Sequence, residues 1–129
     1  LVLASGLQEF EFWYPVLRLR EIGAEVADLG VAGKDAAASV LDYPVVPNVA
    51  LAEVAPADFA ALVLPGGRVD ALVADGAFRA FLHSAADRGV RLAAASQAAA
   101  IVSGLPALVA PTTDDVPHMM RTLVSELST

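Results

Sequence analysis

The chain has 129 residues, a length that fits one domain with a usable core. Apolar residues make up 57%, much of it alanine, and no apolar run approaches the roughly 18–20 residues of a membrane span. Eight basic residues against fifteen acids leave a net charge of −7, which repels phosphate backbones and argues against nucleic-acid binding, while the absence of cysteine excludes disulfides, thiolate metal sites and a Cys nucleophile.

The chain opens on Leu1-Val2-Leu3-Ala4, a short apolar strand ending at Ser5-Gly6. No basic segment precedes it, so no export signal is expected and the expected compartment is the cytoplasm. A helix follows, with Phe10, Trp13, Tyr14 and Leu17 on one face and Arg18, Arg20 and Glu21 largely away from it. Pro15 leaves the carbonyl of Glu11 without its usual partner, which predicts a kink or a helix that begins near Pro15. Gly23 closes the helix, and Glu25 to Leu29 reads as the second strand.

From Gly30 to Asn48 the pattern weakens. Gly33-Lys34-Asp35 is turn chemistry, and Pro44 and Pro47 bar a central strand, so an edge hairpin or an ordered excursion is expected. Ala55-Pro56-Ala57-Asp58 reads as one helical turn. Ala60-Ala61-Leu62-Val63-Leu64 is a continuous apolar run, the pattern of a parallel strand buried on both faces, and it ends at Pro65-Gly66-Gly67. Asp75 can cap a helix with Phe78, Phe81, Leu82 and Ala85 at helical spacing, ended by Gly89.

Arg91 to Ala95 is the next strand, and a helix after Ser96 is expected to stop at Gly104. Ala107-Leu108-Val109-Ala110 is a last short strand. Thr113-Asp114-Asp115 caps a final helix with Pro117 in its first turn and Val116, Met119, Met120, Leu123, Val124 and Leu127 on its apolar face. Strands alternating with helices predict a doubly wound, mainly parallel α/β sheet in one domain over 1–129.

The chemistry gathers at strand ends. Ser96, flanked by Ala94 and Ala98, has the spacing of a nucleophile elbow, where strand and helix nearly touch and little side-chain bulk fits. An Ala-rich core helix that starts with two polar residues fits the same letters. A Ser hydroxyl is a weak nucleophile unless a neighbouring base takes its proton. Of the two histidines, His83 lies off the apolar face of its helix and His118 in the first turn of the last helix, and both are expected to be exposed. Gln97, beside Ser96, cannot act as a base.

Glu11 lies just beyond the first strand, at the same sheet end as Ser96 if the strands are parallel. It could bond the Ser96 hydroxyl, or it could be a solvated first-turn acid. Gln8 and Glu9 read as surface residues. The amides of Gly66 and Gly67 could form half of an anion or oxyanion site, or the glycines could serve only a tight turn. Two isolated histidines and no cysteine give no metal-ligand spacing, and no cofactor motif is present.

These residues converge on a family. Gly6-Leu7-Gln8-Glu9-Phe10-Glu11-Phe12-Trp13-Tyr14-Pro15 with Arg18 to Val26 resembles the opening of PfpI-type proteins of the class I glutamine-amidotransferase-like superfamily. Leu62-Val63-Leu64-Pro65-Gly66-Gly67-Arg68 with Asp70 and Leu72 is similar to the family's glycine turn. Ala93-Ala94-Ala95-Ser96-Gln97-Ala98 stands where relatives carry an Ala-Ala-Ile-Cys-His-Gly elbow. Ala107-Leu108-Val109 with Asp114-Asp115-Val116-Pro117 resembles the closing strand and helix.

The resemblance implies a three-layer flavodoxin-like sandwich that forms homodimers or larger homo-oligomers. It implies Ser96 at the nucleophile position, Glu11 as its carboxylate partner, and Gly66, Gly67 and Gln97 as binding residues, with no metal and no cofactor. Relatives are intracellular peptidases, deglycases, glyoxalases, isonitrile hydratases or stress chaperones.

The departures are specific. Ser96 replaces the Cys, Gln97 the His, Ala98 and Ala99 the usual Gly and Pro, and Gln8 a further acid. The chain also crosses from Gly104 to Ala107 in two residues, where relatives carry another strand pair or loop, so either this member is shortened there or residues of the natural chain are absent from this sequence. The expectation is a member without Cys-dependent activity that binds a small molecule or serves in stress. The alternative is a hydrolase using Ser96 with Glu11. An isolated Cys-to-Ser change in an active relative is disfavoured, because Gln97, Ala98 and Ala99 differ as well.

Overall fold

The computed structural model describes residues 2–3, 6–31, 33 and 37–128. Its parallel strands are β1 (Val2–Leu3), β2 (Leu29–Gly30), β5 (Val49–Ala50), β6 (Ala61–Leu64), β7 (Arg91–Ala95) and β8 (Ala107–Ala110). They pair in the orders β1-β2-β5 and β6-β7-β8, with β1 alongside β6. A hairpin of β3 (Ala37–Ala38) and β4 (Pro44–Val45) stands apart from these ladders. The helices are α1 (Glu9–Glu21), α2 (Asp70–Ala74), α3 (Gly76–Asp87) and α4 (Val116–Leu127). This is the expected α/β flavodoxin-like architecture.

Two cores lie on opposite faces of the sheet, and the strands' period of two builds both. Val63, Ala93 and Ala95 face Phe12, Val16, Leu19, Met119, Met120 and Leu123 of α1 and α4. Leu62, Leu64, Leu92 and Ala94 face Phe78, Phe81, Leu82 and Ala85 of α3. Continuous apolar runs over 61–64 and 92–95 follow from this, because each strand is covered on both sides. Asp75 caps α3 by accepting from the Phe78 N–H at 2.9 Å, as its position predicts.

Several expectations are corrected. The stripe of Phe10, Trp13 and Leu17 is the solvent side of α1, and the buried side carries Glu11, Phe12, Pro15, Val16 and Leu19. The helix has two apolar stripes, and sequence periodicity alone cannot choose between them. α1 begins at Glu9 and runs through Pro15. Its start is set by Gln8, whose side chain accepts from the Glu11 N–H at 2.8 Å, so Gln8 is a cap as well as a partly exposed residue.

The second strand is confined to Leu29–Gly30, because pairing reaches only the residues that meet β1 and β5. β5 and the short α2 have no counterpart among the expected elements. The helix expected after Ser96 is a single 3-10 run, Ser96–Ala100, followed by turns. The excursion after Gly30 does contain the expected hairpin. Leu1, Ala4, Ser5, Lys34 and Asp35 lie outside the described residues.

At the other end of the strands, Asp28 precedes β2. Its Oδ1 is buried and has no hydrogen-bond partner among the described residues. Burial pushes the Asp28 carboxyl above the usual aspartate range, with Arg20 opposing only part of the shift. The folded chain therefore holds this proton more tightly than the unfolded chain. The sign follows: stability declines as pH rises from the ordinary aspartate range through the raised folded value, and the full cost persists above it. Asp28→Asn is expected to raise Tm at neutral pH and to remove this part of the decline. Thermal melts from acidic to neutral pH check it.

Candidate functional site

Four parallel strands send their carboxyl ends to one place. β1 leads through Gly6-Leu7-Gln8 to Glu11 in the first turn of α1. β6 leads to Gly66 and Gly67, β7 to Ser96 and Gln97, and β8 to Thr113. Ligands of open α/β sheets bind at this edge.

Glu11 is the centre. It is 1% exposed, so its carboxylate needs hydrogen bonds in place of water. Three donors supply them. The Gly66 N–H donates to Oε1 at 2.9 Å, the Ser96 hydroxyl to Oε2 at 2.5 Å, and the Thr113 hydroxyl to the same Oε2 at 2.7 Å. A second link joins the same loops, as the Gly67 N–H donates to Gln97 Oε1 at 3.0 Å.

Glycine at 66 and 67 follows from this crowding. A Cβ on Gly66 would lie 2.6 Å from Glu11 Oε1 and 2.8 Å from the Ala95 carbonyl oxygen. At Gly67 φ is +107°, and a Cβ would collide with the Gly6 carbonyl. The glycine loop is held on its other side by Gln8 N–H to the Gly66 carbonyl at 2.9 Å and Arg68 N–H to the Gly6 carbonyl at 2.8 Å.

Ser96 has φ of +50°, in the left-handed region that costs a residue with a Cβ roughly 1–2 kcal/mol. The strain comes from the sharp exit of β7 into the 3-10 run. It points the hydroxyl at Glu11, and small neighbours permit it, since Ala94, Ala95 and Ala98 are at most 1% exposed.

The residues singled out from the sequence thus share one site, with Gln97 at its exposed rim and Ser96 and Gly67 half-buried. The amides of Gly66 and Gly67 donate to protein side chains here. Neither histidine joins in. His83 is exposed on α3, whose buried face packs on the opposite side of the sheet from α1 and α4, and His118 is exposed on α4. Thr113 was missed, because Thr113-Asp114-Asp115 reads as a helix cap. Its position directly after the last strand was the available signal. A hollow of about 280 Å³ beside the Arg91–Glu126 ion pair lies at the opposite end of β7 and β8, away from this chemistry. Among the described residues, no three His, Cys, Asp or Glu side chains gather as metal ligands, and no helix is long and apolar enough to cross a membrane.

Comparison with known proteins decides the family. The model of the DJ-1/PfpI family matches residues 1–111. The chain belongs to the DJ-1/PfpI family. Protein dj-1beta of Drosophila melanogaster is 37% identical over 67 residues, which cover 52% of this chain and 36% of that protein. The aligned region thus spans about a third of that relative's length.

Among solved structures, the crystal structure of Drosophila melanogaster DJ-1beta superposes with a TM-score of 0.88 at 21% identity, covering 98% of this chain and 87% of that one. A DJ-1 superfamily protein from Salmonella typhimurium gives 0.84 at 23% identity, with the same coverage of 98% and 87%. At these identities the likeness is one of fold.

Glu11 also makes a stability prediction. Glu11→Ala would leave one buried N–H without its acceptor, at about 1–3 kcal/mol, and two half-buried hydroxyls that water can partly satisfy, at less. A total loss of about 2–5 kcal/mol is expected, read from urea unfolding midpoints. Glu11→Gln, which keeps an acceptor oxygen, is expected to lose less.

Proposed function

We propose that this chain is a DJ-1/PfpI family member without Cys-dependent catalysis, in which Ser96 stands at the family's nucleophile position and Gln97 at the adjacent histidine's. Its work is then to bind a small molecule, or to act in stress as a homo-oligomer of the cytoplasm. One observation carries the reading. The Ser96 hydroxyl donates to a Glu11 carboxylate that also accepts from the Gly66 N–H and the Thr113 hydroxyl, and both histidines are exposed on helices rather than at the elbow. A Ser hydroxyl without an imidazole base does not reach the nucleophilicity that a thiolate has unaided. Gln97 supports the same reading, because its amide ties down the Gly67 N–H and offers no base.

A second reading draws on the 2.5 Å bond between Ser96 Oγ and Glu11 Oε2. In a hydrolase built on it, Ser96 Oγ would attack a carbonyl carbon while its proton passed to Glu11 Oε2. The developing oxyanion would need the Gly66 and Gly67 amides, which would first have to leave Glu11 and Gln97. That rearrangement weighs against this reading.

Intact mass after exposure to a fluorophosphonate, with Ser96→Ala as control, separates the two. No adduct is expected. A stoichiometric adduct that disappears in the control would make the serine hydrolase the leading reading.

A further inference from the structure

β8 stands last in the order β6-β7-β8, and no described residue pairs with its outer side. One bond fixes which of its backbone groups face outward. The Arg91 N–H donates to the Ala60 carbonyl at 3.1 Å, so residues 91, 93 and 95 turn their backbone groups to β6. Leu92 and Ala94 therefore turn theirs to β8, where they stand opposite Ala107 and Val109. The slanted bonds of a parallel ladder go to the neighbours of the opposite residue, here Pro106, Leu108 and Ala110. Ala107 and Val109 are left with N–H and C=O pointing away from the sheet.

Such an edge is a template for another strand, and folded proteins usually guard it with charge. This one carries none. No residue between Arg91 and Asp114 is charged, and Val109 is 46% exposed. The hollow at Arg91 and Glu126 borders Pro106, Ala107 and Leu108, so the start of the edge is uncovered as well.

We infer that β8 pairs antiparallel with β8 of a second copy, about a two-fold axis at Leu108. Ala107 of each copy then faces the partner's Val109. Each of these pairs exchanges two N–H···O bonds, which satisfies every outward group of Ala107 and Val109 in both copies. Pro106 and Pro111 bound the ladder, because neither has an N–H to extend it. The contact needs nothing from Ser96 or from the outer face of α1.

Symmetry and charge select this occupant. The outward residues lie on either side of Leu108, so the edge is its own complement under a two-fold axis, and one contact closes both edges. Two copies at −7 each repel, so they approach closely only where that charge is absent. The antiparallel arrangement also keeps the exposed Asp114 and Asp115 of the two copies at opposite ends of the shared ladder. A parallel one would set these acids side by side. A basic peptide would favour the acidic remainder of the surface over this uncharged strand.

Disulfide trapping tests the pairing by position rather than by assembly size. The chain has no cysteine, so a single introduced one reports its own surroundings. Leu108→Cys lies on the axis, in a non-hydrogen-bonded pair whose Cα atoms are about 4.5 Å apart, within disulfide reach. Oxidised glutathione is expected to convert this variant at micromolar concentration into a covalent dimer of twice the 13.3 kDa mass. Val73→Cys, exposed on α2, is the control for chance collision and is expected to stay monomeric on denaturing gels. Ala107→Cys mixed with Val109→Cys is expected to cross-link faster than either variant with itself, because those residues face each other across the axis.

Two further changes, each made in the Leu108→Cys background, guard against misreading. Val109→Lys places a charge on the edge and is expected to abolish the cross-link. Val109→Pro removes an outward N–H and spares the β7 ladder, so association is expected to weaken about tenfold or more with circular dichroism unchanged. A folded Leu108→Cys chain that forms no covalent dimer overturns the inference. So does a cross-link that Val73→Cys matches or that Val109→Lys leaves intact. Ala107→Cys and Val109→Cys that each prefer themselves overturn the register. None of these outcomes bears on fluorophosphonate labelling, so each reading can fail alone.

Discussion

One buried carboxylate organises the carboxyl edge of the sheet in this molecule. Glu11 is closed off from water, and every bond that replaces water comes from another strand end: Gly66 after β6, Ser96 after β7 and Thr113 after β8. Removing water from a carboxylate costs several kcal/mol unless donors replace it, so the loops that supply those donors are constrained together. Gly66 has no Cβ because the carboxylate oxygen takes that space. Gln8 fixes where α1 begins and thereby where Glu11 points. The connections of four strands are interdependent through a single side chain.

The alanine content has its physical place in β7 and its exit. β7 lies between β6 and β8, and its alternate residues enter both cores, so helices approach it from both faces. Ala93, Ala94 and Ala95 allow that approach, and Ala98 lets the following turn close over the strand end. The left-handed Ser96 is tolerated only in such surroundings. The strain it stores is of the same order as one net hydrogen bond, and Ser96 makes one to a charged acceptor, the stronger kind. This geometry aims the Ser96 hydroxyl at Glu11.

α1 inverts the usual arrangement of a surface helix. Its buried side includes a carboxylate and a proline, and its outer side carries Phe10, Trp13 and Leu17. The first follows from the site, since Glu11 must reach Gly66 and Ser96. Rotating the helix to bury the aromatic stripe would withdraw Glu11 from all three donors. The site and the exposed patch are therefore two consequences of one rotational setting of α1.

By itself the sequence determined the three strands β6, β7 and β8. The runs at 61–64 and 92–95 are apolar because both faces are covered, a local signal that needs no partner to be read. The alternation of strand and helix also placed Glu11, Gly66 and Ser96 at one end of a parallel sheet, and the elbow spacing around Ser96 marked its turn. Only the tertiary structure decided which face of α1 is buried, that Thr113 shares Glu11 with Ser96, and that the glycine amides are already engaged. Those contacts join residues 55, 85 and 102 positions apart, and they depend on side-chain reach across loops rather than on any repeat in the chain. Periodicity reports that a residue lies on a face; what stands opposite that face is set by the packing of the whole domain.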